Sequence, residues 1–113
     1  MSDIEPDVAY HLLLDPEETP IAALALRLLV SDEAHEPQLR SLARDVLTAL
    51  EADPGADGVL TVGLSAEEMK IAHTALKLLL NDSQRDQHTE RELLWRILNK
   101  LPDEHAIRAI QID

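Results

Sequence analysis

The chain contains no cysteine, no phenylalanine and only three glycines among its 113 residues. Without cysteine it can form neither a disulfide framework nor a thiolate metal site. With only Gly55, Gly58 and Gly63, it cannot form the glycine-rich loops that cradle phosphates in Walker or dinucleotide-binding motifs. A G-x-S-x-G nucleophile motif is also missing. The sequence therefore carries no familiar signature of a nucleotide-binding protein or a hydrolase.

Aromatic residues are almost as scarce, because Tyr10 and Trp95 are the only two. The core must therefore consist of Leu, Ile, Val and Ala, which suits closely packed helices. The longest apolar run, 21–30, includes Arg27 and is too short to cross a bilayer. The acidic beginning of the chain shows no apolar signal region. We therefore expect a soluble, cytoplasmic protein that is not associated with a membrane.

Basic residues are few, because ten basic and twenty-two acidic side chains give a formal charge of −12. Residues 1–58 carry three basic and thirteen acidic side chains, whereas residues 59–113 carry seven and nine. This balance repels nucleic acid at long range, and the basic residues of the second half are interleaved with acids. We expect no nucleic-acid partner. An ordinary solvated acidic surface or a basic protein partner explains the charge.

What the chain does contain is an internal repeat with a shift of fifty residues. Nine of the sixteen positions 17–32 are identical at 67–82. The identical residues of the first copy are Glu17, Glu18, Ile21, Ala22, Ala25, Leu26, Leu28, Leu29 and Asp32. The paired glutamates and the final aspartate lie at helix ends, so an apolar helical stripe does not explain them. A repeat at a fixed spacing predicts one supersecondary unit used twice.

Each copy opens with a segment in which larger apolar residues alternate, at 9–14 and at 59–64. A period of two over about six residues predicts a strand. A helix start follows each strand. Ser65-Ala66-Glu67-Glu68 is a capping box, and Asp15-Pro16-Glu17-Glu18 places an acceptor at the N-cap and a proline at N1. Pro20 interrupts the first helix, which predicts a separate turn and a restart at Thr19.

The predicted fold is helix-rich α+β, with a tandem β-α-α repeat whose four helices pack on a small two- or three-stranded sheet. An all-α four-helix bundle is the alternative. The segment Ala106–Ile112 is the candidate third strand, and its pairing within or between chains is left open. Residues 1–7 are expected to be a flexible acidic terminus. Residues 8–113 are expected to form one domain from repeats 8–52 and 59–113, joined by a turn linker at 53–58.

The histidines give the only hints of catalysis or metal binding. His35 beside Asp32 is the best candidate pair for a metal, but no metal-ligand spacing such as H-x-x-x-H or H-E-x-x-H occurs. His73 lies between Lys70 and Lys77 on a helix and has no visible orienting partner for a role as catalytic base. The sequence therefore predicts no catalytic, cofactor-binding or metal-ligating residue.

Interaction with another protein is the predicted function. Small sheets have edges that invite pairing, which predicts a homodimer. Trp95 and Tyr10 are the candidate interface residues, since aromatic side chains are enriched at binding hot spots. The first hypothesis is a non-enzymatic self-association or protein-interaction module. The alternatives are an acidic accessory protein that binds a basic partner surface and a metal protein or enzyme that uses the His/Asp loops.

Overall fold

A computed structural model describes residues 9–32, 34–83, 87–102 and 104–110. In that part of the chain the elements are β1 (Tyr10–Leu14), α1 (Thr19–Ser31), α2 (Pro37–Leu50), β2 (Leu60–Leu64), α3 (Ala66–Asp82), α4 (His88–Lys100) and α5 (Glu104–Ala109). The order is strand-helix-helix twice, followed by a short helix. The predicted helix-rich α+β class is confirmed, and the all-α alternative is wrong because β1 and β2 pair as strands. The predicted acidic terminus, 1–7, lies outside the described residues.

The two strands form an antiparallel sheet whose register is symmetric. Leu12 faces Val62 at its centre, with Tyr10 opposite Leu64 and Leu14 opposite Leu60. Leu12 and Val62 are equivalent under the shift of fifty. Exchanging the two halves therefore reproduces the same set of strand pairs. A pseudo-twofold axis therefore passes through this central pair. One face of the sheet is buried and the other faces solvent, as is common for antiparallel sheets.

The helices of the two halves interlock around one core. The first helices, α1 and α3, contact each other. The second helix of each half lies against the strand of the other half, because α2 contacts β2 and α4 contacts β1. One continuous cluster of buried apolar residues joins both halves. Neither half therefore encloses a core by itself.

The helix starts follow the predicted chemistry in the second half and depart from it in the first. At α3, the Glu68 N–H donates to Ser65 Oγ (3.1 Å) and the Ser65 N–H donates to Glu68 Oε1 (2.8 Å). At α1, the helix begins at Thr19 after a turn, as Pro20 predicted, and its N-cap is Glu18. The predicted Asp15 cap is wrong, because the turn moves the helix start past it.

The C-terminal carbonyls of α1 and α3 are satisfied by arginines from the following helix. Arg40 Nε donates to the Val30 carbonyl (2.9 Å), and Arg91 Nη1 donates to the Leu80 carbonyl (3.0 Å). Val30 and Leu80 are equivalent positions, and each arginine is the fourth residue of its helix. Such bonds satisfy the carbonyls that a helix end leaves unpaired. They hold the two helix ends in matching positions.

The two-stranded form of the predicted sheet is the one present, and the candidate third strand, Ala106–Ile112, is not a strand in its described part. Residues 104–109 form helix α5, in which Ile107 is buried, and Lys70 Nζ of α3 donates to the Ile110 carbonyl. Ile107 lies within α5 and Ile110 follows the helix three residues later, and both pack on the core, a spacing that the alternation of Ile110 and Ile112 concealed. Within the described residues the sheet is thus two-stranded, while 111–113 lie outside them. No helix of the described ranges is long and apolar enough to cross a membrane.

Candidate functional site

A cleft of about 460 Å³ lies between the C-terminal halves of α1 and α3, and we call it the axial cleft. It is lined by Ala25, Leu28, Leu29, Asp32, His35, Ala75, Leu78, Leu79 and Asp82. Eight of these nine residues form four identical pairs under the shift of fifty. The cleft therefore lies on the pseudo-twofold axis and presents the same side chains from both halves.

The apolar part of the axial cleft has a buried bottom and an exposed rim. Ala25, Leu29 and Ala75 are buried. Leu28 and Leu78, by contrast, are 50% and 46% exposed. Single exposed leucines are ordinary, but apolar side chains gathered at a concave surface with a polar edge are typical of interaction sites. The paired small alanines leave the space that these two leucines border.

The polar part of the axial cleft is acidic. Asp32 and Asp82 are exposed at the ends of α1 and α3. Asp32 Oδ1 accepts from the Ala34 N–H (2.9 Å), and its Oδ2 lies 3.4 Å from His35 Nε2. Among the described residues no lysine or arginine lines the cleft. The cleft thus combines an apolar bottom with two carboxylates.

The structure brings the predicted metal pair, His35 and Asp32, together in this cleft. A metal site needs further ligands, and the described ranges contain no group of three or more His, Cys, Asp or Glu side chains that could hold an ion. The pair therefore gives no support to metal binding. Instead, the hydrogen bond that Asp32 accepts from the Ala34 N–H fixes the turn that follows α1.

Trp95, one predicted interface residue, lies in a second groove of about 280 Å³ that also contains His73 and Lys77. Trp95 is 46% exposed, and Lys77 Nζ lies 5.6 Å from the centroid of its ring, a cation–π contact. The role of Trp95 in an interface stays a prediction.

Tyr10, the other predicted interface residue, is used within the chain. It is half-buried against the core, and its hydroxyl donates to the Lys100 carbonyl at the end of α4. This bond ties β1 to the second half. An interface role for Tyr10 also stays a prediction, and the hydroxyl is already engaged in this contact.

Sequence reasoning missed a buried ion cluster at the start of α1. Glu18 is completely buried, and its Oε1 lies 2.5 Å from Lys100 Nζ, which also donates to the Leu13 carbonyl (2.9 Å). Arg96 donates to Glu17 Oε1 (2.9 Å) and Asp15 Oδ2 (3.0 Å). The hydrogen bond to Glu17 raises the pKa of the Arg96 guanidinium, and the nearby carboxylates of Glu18 and Asp15 act in the same direction.

This cluster departs from the pseudo-symmetry. Glu18 and Glu68 each accept a bond from the backbone three residues earlier. Among the described residues Glu18 forms ion pairs and Glu68 does not, because positions 96 and 100 of α4 correspond to Asp45 and Ala49 of α2 when the two helices are aligned by their first residues. Glu18 Oε2 lies 3.3 Å from Arg96 Nε without the alignment of a hydrogen bond. No member of the cluster lines the axial cleft or the Trp95 groove, so we assign it a structural role.

Comparison of the chain with protein-family models, with curated proteins and with solved structures finds no match. The candidate site therefore depends on the geometry of the chain itself.

Proposed function

We propose that this protein is a non-enzymatic protein-interaction module that binds its partner in the axial cleft. The observation that carries the proposal is the pair Leu28 and Leu78, half-exposed on the rim of an apolar cleft whose bottom is buried. Burying these two side chains against a partner supplies the hydrophobic driving force.

The composition of the cleft supports binding rather than catalysis. The His35–Asp32 pair resembles the oriented base of a catalytic site, but a reaction also needs a nucleophile or an electrophilic group within reach of the base. The residues contributed by α3 are Ala75, Leu78, Leu79 and Asp82. Three of them are apolar and the fourth is a carboxylate, so they supply neither group.

A homodimer is the second candidate, and the symmetry of the cleft favours it. We infer that the two halves arose by duplication, which is supported by nine identities, a common element order and a symmetric strand register. Closed dimers use self-complementary surfaces, and a cleft on a pseudo-twofold axis already presents one motif twice. Dimerisation by strand pairing at the sheet edge is less favoured than the sequence suggested. Lys100 Nζ already donates to the Leu13 carbonyl of β1, which a pairing strand would need as an acceptor.

Changing Leu28 and Leu78 to serine together is expected to weaken association about thirtyfold. Burying the exposed halves of two leucines contributes about 2 kcal/mol, and each 1.4 kcal/mol is about a factor of ten. Sedimentation of the purified chain and co-purification of partners from native lysate measure the effect. Because both side chains are half-exposed, the variant is expected to keep its folded circular dichroism spectrum.

Leu13→Ser is the matched control, since Leu13 is also 50% exposed but lies on the open face of the sheet. It is expected to leave association unchanged. Equal losses in the two variants would assign the effect to general surface hydrophobicity. If neither variant loses any association, the axial cleft is not the binding surface.

A further inference from the structure

We propose that the partner bound in the axial cleft is a basic amphipathic helix, which lays its apolar face on Leu28 and Leu78 and its lysines or arginines on Asp32 and Asp82. This inference rests on the proposed interaction function and specifies the chemistry of the partner. The supporting observation is an apolar groove edged by carboxylates, which is complementary to a helix that presents apolar and basic side chains.

The apolar geometry fits an inserted helix face. Helix-in-groove recognition uses apolar anchors at i, i+3 or i+4, and i+7, which lie along one side of the bound helix. The axial cleft runs between two helices and is bordered by Leu28 from one and Leu78 from the other. The buried alanines, Ala25 and Ala75, leave room for an incoming anchor side chain. The surface therefore has room to contact a row of apolar side chains and not just one.

Within the described part of the chain, the aspartates and glutamates that line the groove are Asp32 and Asp82, and no lysine or arginine lines it. Asp32 and Asp82 are exposed, and each stands at the end of the helix that supplies a rim leucine. Arg40 and Arg91, near the starts of the following helices, hold main-chain carbonyls of the same helix ends and do not line the cleft. A formal charge of −12 adds a long-range field that steers cationic partners toward the protein.

The same charges disfavour a second copy of the chain as occupant. A symmetric dimer through the axial cleft would bring Asp32 and Asp82 of one copy against those of the other, so that four carboxylates meet. Like charges placed together at an interface oppose association. A basic helix replaces this repulsion with attraction and keeps the apolar contact.

Three synthetic helical peptides of equal length test the proposal with the full chain. All carry leucine at i, i+3, i+4 and i+7, and the flanking positions are lysine, glutamine or glutamate. Fluorescence anisotropy gives the affinities, and amide chemical shifts locate the site. The leucine/lysine peptide is expected to bind most tightly, to shift the amides of Leu28, Asp32, Leu78 and Asp82, and to bind more weakly as salt rises.

Asp32→Asn combined with Asp82→Asn is expected to weaken binding of the leucine/lysine peptide about tenfold, the effect of losing two partly exposed ion pairs. Asp45→Asn combined with Asp53→Asn removes the same charge from exposed positions outside the cleft and is expected to change the affinity less than about twofold. Both double variants keep the apolar rim, so they isolate the contribution of the two carboxylates.

Several outcomes overturn the inference. Equal affinity for the glutamate peptide, equal losses in the two double variants, shifts confined to other surfaces, or no binding of any peptide would each do so. Self-association that depends on Leu28 and Leu78 and excludes the peptide would replace the basic helix with a second copy. The interaction function itself is judged separately, by the serine variants of the rim leucines.

Discussion

Replacing Lys100 with methionine is expected to destabilise the protein by about 3 kcal/mol. Glu18 is completely buried, and Lys100 Nζ is its closest cation, at 2.5 Å. Removing one partner of a buried ion pair leaves an uncompensated charge in the interior, which costs about 3–5 kcal/mol. Arg96 remains beside Glu18, so we expect the lower end of that range. Urea unfolding followed by circular dichroism measures the loss.

A second variant separates the buried charge from lost packing. Glu18→Gln combined with Lys100→Met removes the carboxylate charge while keeping an oxygen to accept the Asp15 N–H. The double variant is expected to be more stable than Lys100→Met alone. Glu68→Gln, at the equivalent position without a neighbouring cation, is expected to cost only about 1 kcal/mol. Equal losses for the single and double variants would show that Glu18 needs no counter-charge.

Cutting the chain in the turn linker is expected to abolish the fold of each half as a monomer. The fragments 1–58 and 59–113 each keep one strand and two main helices, but their strands lose their partner. Each also loses the second helix that covers its strand, because α2 lies on β2 and α4 on β1. A chain of about 55 residues has little core to spare. Circular dichroism should show no cooperative melting at low concentration.

At high concentration the two fragments are expected to differ. A symmetric dimer of 59–113 would place Arg96 and Lys100 of one copy beside Glu67 and Glu68 of the other, which repeats the ion cluster twice. A dimer of 1–58 would place Asp45 and Ala49 beside Glu18 and leave that carboxylate without a cation. Sedimentation should therefore show stronger association for 59–113. Cooperative melting of either fragment as a monomer would contradict the interlocked packing.

The parts of the fold that could be predicted are those fixed by local chemistry. The period of two at 9–14 and 59–64 marked the two strands, which the structure places at 10–14 and 60–64, and the capping box at Ser65 marked the start of α3. Pro20 predicted that α1 restarts at Thr19. These signals are contained within a few residues. The same local signals misassigned α5, because the contact that holds α5 against α3 is not visible in sequence.

The candidate site was only partly visible in the sequence. The identities at Ala25, Leu28 and Asp32 recur at 75, 78 and 82, yet the run 21–30 is apolar on almost every side and concealed which leucines stay exposed. The adjacency of His35 and Asp32 was predicted, but its location in the axial cleft depends on the packing of α1 against α3. The Glu18–Lys100 pair joins residues 82 positions apart, so no local pattern could predict it.

Site-specific photocrosslinking tests the central claim, that the axial cleft is the surface that binds another protein. The photoreactive residue p-benzoylphenylalanine replaces Leu28 in one variant and Leu13 in the other, two leucines of equal exposure. On irradiation in native lysate, the position-28 variant is predicted to give a discrete crosslinked species whose mass identifies a partner or a second copy. The position-13 variant is predicted to give none. Equal yields at both positions, or no product at position 28, would contradict the account.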